Sequence, residues 1–187
     1  MTGGAGPRLD PARHAAPRRG VLEVRAMTDI TAKLASGSKV EMTQLVMPGD
    51  GNVLGTAFGG RIMQWIDLCA AMAAQRHCRM PVVTASIDRL DFLGPVRIAD
   101  IALLRAQVNA VFGTSMEVGC EVLAENPLTG ERRRCCDAFL TFVALGPDGK
   151  PARAPLLLTA TEEEARRVAE ATARRAARLA ERKSRQA

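Results

Sequence analysis

Two features of the 187-residue sequence could act on a substrate, and they lie close together. Asp67 stands in an apolar, alanine-rich run, where a carboxylate is costly to bury and must be paired, protonated or used. Just upstream, Gly59 and Gly60 close the string Gly55-Thr56-Ala57-Phe58-Gly59-Gly60 at the start of the same run. Residues without Cβ leave backbone N–H groups open at the positive end of a helix dipole, where a developing oxyanion can be held. Amides that polarise a carbonyl and an acid that activates water make a hydrolytic pair. Plainer readings stand beside these: a structural ion pair for Asp67, and a tight turn for the glycines.

The spacing predicts a helix from about Gly59 to His77, with Met63, Ile66, Asp67, Ala70, Ala71 and Ala74 on one face. Arg76 and His77 suit its negative end, and Pro81 stops it. Strands follow. Val82 to Asp88 is β-branched and apolar, Ile98 to Val111 alternates loosely, and Ser115 to Ala124 alternates with Met116, Val118, Cys120, Val122 and Ala124 on one face. A hairpin loop at Asn126 to Gly130 leads into a last long strand, Cys135 to Leu145. One long helix followed by a meander of antiparallel strands predicts an α+β domain in which a curved sheet wraps the helix. The alanines at 70, 71, 73 and 74 would permit the close approach.

Residues 1–39, rich in Gly, Pro, Ala and Arg, are expected to be a disordered tail, with Met27 a possible true start. Residues 40–158 form the domain. Residues 159–187 are expected to be a basic helix opened by the capping box Thr161 and Glu164, its narrow stripe of Ala165, Val168, Ala169, Ala176 and Leu179 docking weakly or standing in solvent.

The net charge of +6 sits at the ends. Residues 166–187 carry eight basic and two acidic groups, whereas residues 27–165 carry a net −3. With an aromatic content of 3% and no helix-turn-helix pattern, the chain offers little to nucleic acid. No apolar run is long enough for a membrane span, and no secretory signal is evident, so a cytoplasmic protein is expected. Five cysteines without a CxxC pair, and His77 as the lone histidine of the body, point to reduced core thiols and no metal site.

Met47-Pro48-Gly49-Asp50-Gly51-Asn52 and the glycine string, Ile66-Asp67, Arg76-His77, Val82-Val83-Thr84-Ala85-Ser86-Ile87-Asp88, Phe92-Leu93, Pro95-Val96 and Thr114-Ser115-Met116-Glu117 occur in order. Together they resemble the hotdog-fold acyl-CoA thioesterases from about residue 41 to residue 155. The resemblance implies hydrolysis of acyl-CoA to a fatty acid and coenzyme A, with no cofactor beyond the substrate's own coenzyme A. It also implies a homo-oligomer, a dimer or trimer of dimers, whose active sites are shared between subunits. Asp67 matches the helical acid, and Gly59 and Gly60 match the glycines beside the thioester carbonyl. Asp67 would activate water or attack directly to form an anhydride. Many relatives carry Asn or Asp where this chain has Thr56, which can orient a group but cannot serve as general base.

Asn52, Phe58, His77, Thr84, Ser86, Thr114 and Ser115 are the candidates for substrate contacts. Against each stands a structural role: Asn52 in shaping the loop, His77 at the helix end, the hydroxyls as ordinary strand residues. Two further functions compete with hydrolysis: a non-catalytic acyl-CoA-binding scaffold, and a hydratase or dehydratase, which needs a histidine beside the carbonyl.

Overall fold

In the computed structural model, which describes residues 31–184, helix α1 (Gly59–Cys78) forms where the spacing predicts it. Arg79 takes a left-handed conformation, φ 57°, and closes the helix by donating its N–H to the Gln75 carbonyl at 2.7 Å. The buried stripe runs through Ile62, Ile66, Cys69, Ala70, Ala73, Ala74 and His77. The predicted face was therefore rotated: Met63 is exposed, and Asp67 and Ala71 lie half-buried on the stripe's shoulder. The bulky apolar groups at 62, 65 and 66 set the inward direction, and Asp67 stays at the margin because its charge resists full desolvation.

The strands are β1 (Lys33–Leu34), β2 (Val40–Leu45), β3 (Val82–Phe92), β4 (Ile101–Phe112), β5 (Ser115–Glu125), β6 (Arg132–Ala144) and β7 (Leu157–Leu158), followed by helix α2 (Glu162–Ser184). Five of them form an antiparallel sheet in the order β2-β4-β5-β6-β3, leaving β2 and β3 at its edges. Its inner face presents Leu104, Val108, Val118, Val122, Leu140 and Phe142 to α1, all fully buried. The alternation of β5 is as predicted: Met116, Val118, Cys120, Val122 and Ala124 all face the core. β3 runs four residues beyond Asp88 because it pairs with β6 as far as Phe92 and Cys136. At Gly119 of β5 an added Cβ would stand 2.8 Å from Asn109 Nδ2, so the Asn109 side chain occupies the space a larger residue would need.

Both ends of the domain differ from expectation. Residues 33–39, expected to belong to a disordered tail, are part of the folded domain. There β1 pairs in parallel with β7, Ala35 and Ser38 are buried, and Ser38 Oγ accepts the Val108 N–H at 3.0 Å. Lys33 Nζ donates to the His77 carbonyl at 2.8 Å, placing a cation at the negative end of α1. Residues 1–30, including Met27, lie outside the described residues.

Helix α2 is firmly docked, and not by the predicted stripe. Glu164 and Ala171 are buried on the outer face of the sheet, whereas Ala165, Ala169, Ala176 and Leu179 are exposed. Arginine stems and guanidinium groups supply the contact: Arg174 lies 3.7 Å over the Phe139 ring and Arg175 lies 4.6 Å over Phe112. The Thr161 hydroxyl accepts the Glu164 N–H at 3.1 Å as the cap predicts, and Glu164 accepts the Ala160 N–H at 2.7 Å.

Because Ala73 is fully enclosed between α1 and the sheet, Ala73→Leu should lower stability by about 1–3 kcal/mol through overpacking. The exposed Ala177→Leu should stay within roughly 0.5 kcal/mol of the parent. Urea unfolding of both variants measures the difference.

Candidate active site

The shoulder of α1 that carries Asp67 faces the start of β3. Thr84 Oγ1 donates to Asp67 Oδ1 at 2.7 Å, which orients the carboxylate and leaves its second oxygen free of any side-chain partner among the described residues. Both residues remain accessible within the single chain. Asp67 is neither sealed in the core nor neutralised by an arginine, so the structural ion pair considered for it is not formed among the described residues.

The glycine string is braced from three sides. Asp50 forms an ion pair with Arg61 at 2.9 Å, and its carbonyl accepts the Phe58 N–H at 2.8 Å. The Ala57 N–H donates to Val96 at 2.7 Å, beside a bridge between Thr56 and Arg97. Asn52 organises the turn. Its Oδ1 accepts the amides of Leu54 (2.9 Å) and Thr56 (3.3 Å), and its Nδ2 lies 3.0 Å from the Thr56 hydroxyl. Asp50 and Arg61 escaped the sequence reading because an ion pair across eleven residues and a loop carries no periodic signal.

Gly59 and Gly60 open α1, where the first N–H groups have no helical acceptor. A Cβ at Gly60 would stand 2.4 Å from the ring of Phe58, so that largely exposed ring, which folds across the helix start, would have to shift. A Cβ at Gly59 would make ordinary contact with Phe92 at 3.5 Å. Eight residues of helix separate Gly59 from Asp67, about 12 Å along the axis. One carbonyl cannot touch both within a single chain, so the compact pairing suggested by proximity in sequence is not formed there.

The other candidates scatter. His77 is buried ten residues beyond Asp67, and its Nε2 donates to the Pro155 carbonyl at 2.9 Å while Nδ1 has no partner among the described residues. Burial holds its pKa below the usual histidine value. It is a core residue, and no substrate contact is open to it. Ser86 donates to Asp88 at 2.6 Å, and Asp88 in turn pairs with Arg178 of α2, so Ser86 belongs to the outer face of the sheet. Ser115 precedes the core residue Met116 and so points outward too. Thr114 contributes its carbonyl to the Ala144 N–H and makes no side-chain bond to Asp67 or Thr84.

All five cysteines are free and buried, and burial raises the Cys136 thiol to about 12. Among the described residues no three of His, Cys, Asp and Glu gather to hold a metal ion, and no helix is long and apolar enough to cross a membrane.

Residues 54–131 match the Thioesterase superfamily. An uncharacterized acyl-CoA thioester hydrolase of Bacillus subtilis is 46% identical over 127 residues, covering 68% of this chain and 74% of its own. An apo-hexameric acyl-CoA thioesterase superposes with a TM-score of 0.77 at 41% identity, over 84% of this chain and 98% of the other. The acyl-CoA hydrolase of Staphylococcus aureus, solved with butyryl coenzyme A and coenzyme A, superposes with a TM-score of 0.77 at 35% identity, over 83% and 95% of the two chains. That enzyme has also been solved with alanine in place of one asparagine, one aspartate and one threonine.

The buried, neutral His77 carries a pH signature. Its folded pKa lies below the ordinary 6.5, so the unfolded chain takes up the proton first. This contribution to stability is intact above pH 6.5 and is lost as pH falls below it. His77→Gln, which retains an amide donor for Pro155, should remove that component: melting curves between pH 7.5 and 5.5 should show the parent losing more stability than the variant. Parallel losses would refute the assignment.

Proposed function

The chain belongs to the hotdog-fold acyl-CoA thioester hydrolases of the Thioesterase superfamily, and from that premise we propose how its residues divide the hydrolysis of an acyl-CoA to a fatty acid and coenzyme A. The hydrogen bond from Thr84 to Asp67 on the open shoulder of α1 carries the reading, since it presents an oriented carboxylate with one oxygen free. Asp67 takes a proton from water as the water oxygen bonds to the thioester carbon. The Gly59 and Gly60 amides hold the resulting oxyanion. Collapse of the tetrahedral intermediate breaks the C–S bond, and the departing coenzyme A thiolate recovers the proton from Asp67. The proposed reaction uses no metal and no cofactor beyond the coenzyme A of the substrate.

Spacing supports a role for Asn52. The asparagine, aspartate and threonine exchanged for alanine in the Staphylococcus aureus enzyme are 15 and 17 residues apart, and Asn52, Asp67 and Thr84 stand at the same intervals. Asn52, and not Thr56, then fills the asparagine position, with Thr56 supporting its side chain through the 3.0 Å contact. On this reading Thr56 is no departure from the family's machinery.

The protein is a homo-oligomer, like its hexameric neighbour. We assign its smallest unit to a dimer joined along β3, an edge strand with exposed Val83, Ile87 and Phe92, and its larger form to a trimer of such dimers. The separation of Asp67 from Gly59, about 12 Å along the helix, supports a site in which the acid of one subunit faces the glycine string of the next, with Phe58 at the same junction. Five free, buried thiols accord with the reducing cytoplasm, where we place the enzyme.

Thiol release from acyl-CoAs between acetyl and palmitoyl chain length tests the activity. Asp67→Asn should lower kcat at least about 100-fold with the oligomer intact, and full turnover in that variant would remove Asp67 from the mechanism. Co-assembly tests the shared site. Subunits bearing Asp67→Asn mixed with subunits bearing Asn52→Ala should regain activity that neither has alone, whereas no recovery in confirmed mixed oligomers would place the whole site within one chain.

A further inference from the structure

Strand β3 is irregular where it passes the active site. Its pairing with β6 steps from Thr84↔Phe142 to Ser86↔Thr141, and again from Ile87↔Leu140 to Arg89↔Phe139, so Ala85 and Asp88 are each extra residues at a bulge. A bulge bends its strand and re-aims the side chains beside it. Thr84, immediately before the first, turns inward to Asp67, while Ser86 turns outward to Asp88. The geometry that brings Thr84 to the carboxylate therefore depends on the shape of residues 85–88.

That segment is clamped from the opposite side of the sheet. The Asp88 side chain is only 6% exposed, and its Oδ2 accepts the Thr141 hydroxyl at 2.8 Å and pairs with Arg178 Nη1 of α2. Arg178 also donates to Thr141 Oγ1 at 2.8 Å, and Ser86 Oγ donates to Asp88 Oδ1 at 2.6 Å. One turn earlier, Arg174 pairs at 2.7 Å with Glu117, whose side chain is 2% exposed. A buried carboxylate deprived of its cation would have to move toward water or be protonated, and either response disturbs the backbone that holds it.

We propose that Arg178 and Asp88 are positioning residues for hydrolysis: α2, from the outer face, locks the doubly bulged segment of β3 and so fixes Thr84 against Asp67. This rests on the assignment of Thr84 and Asp67 to the active site. Neither Arg178 nor Asp88 touches the substrate; the effect passes through the strand to one hydrogen bond. Small displacements of a catalytic constellation are costly, on the order of 100-fold for about 1 Å, so a loosened clamp should register in kcat more than in KM.

A double-mutant cycle on the full-length oligomer tests this. Kinetics with one acyl-CoA would be measured for Thr84→Ala, Arg178→Met, the pair combined, and Arg175→Met. The last variant removes a neighbouring arginine that stacks on Phe112 without reaching β3. Arg178→Met should lower kcat about 10- to 100-fold with KM little changed, the double variant should be no slower than Thr84→Ala alone, and Arg175→Met should match the parent. Asp88→Asn provides a second arm of the cycle if Arg178→Met does not assemble. Multiplicative losses in the double variant, parental kcat in Arg178→Met, or an equal loss in Arg175→Met would each overturn the inference. Full activity in Thr84→Ala would instead sink the underlying site assignment.

Discussion

The close approach of α1 to the sheet depends on four side chains, Cys69, Ala70, Ala73 and Ala74, which are fully buried and among the smallest available. Larger groups would hold the sheet off, because interiors pack at near-crystalline density and cannot absorb extra volume without displacement. With the helix drawn in, strand residues reach it directly. Thr84 of β3, a short side chain, can span to Asp67 at 2.7 Å only because the strand lies against the helix there. The packing stripe and the reactive shoulder are adjacent strips of one helix, so the volume of the first sets the geometry of the second.

The same helix underlies the proposed sharing of the site between subunits. Helical rise separates the open amides at Gly59 and Gly60 from Asp67 along a rigid axis, and no rearrangement of α1 short of unfolding brings them together. The open amides and the carboxylate are each well organised locally: the former by Asn52, Asp50 and Arg61, the latter by Thr84. In the proposed dimer, two half-sites on a stiff rod would be completed by a second rod in the opposite sense. An edge strand with exposed apolar groups and an unpaired backbone provides the means of bringing one.

Much of this was legible in the sequence, and the exceptions share a cause. The helix, the alternation of β5 and the Thr161 hydroxyl cap are local patterns and formed as expected, although Glu164 returns its bond to the Ala160 N–H and not to that of Thr161. Thr84 and Ser86, two residues apart, should share a face by strand periodicity; the bulge at Ala85 puts them on opposite faces. No local signal announces a bulge, since it is set by how β3 must bend around the helix. The face of α1 was misjudged by about one residue for a related reason. Spacing groups Asp67 with the alanines, although the orientation is decided by where Ile62, Trp65 and Ile66 find a core. Lys33 and Ser38 look like tail in the sequence because their partners, His77 and Val108, are distant along the chain.

The basic C-terminal segment shows how composition can mislead when the partner is the chain itself. Its net +6 over residues 166–187 invites an acidic ligand, and the globular part carries the complementary −3 over residues 27–165. Part of that acid is spent on this helix: Arg174 meets Glu117, and Arg178 meets Asp88. Both carboxylates lie on the outer face of the sheet and are almost wholly buried once the helix is in place. Such pairs add little net stability, because desolvation offsets most of the attraction, but an unpaired member is strongly penalised. They therefore select one placement of α2 over its neighbours, since a shift along the sheet leaves two carboxylates buried without cations. Apolar residues on the same helix could have supplied adhesion. What the arginines add is register, and a helix held in register can fix the bend of the strand beneath it.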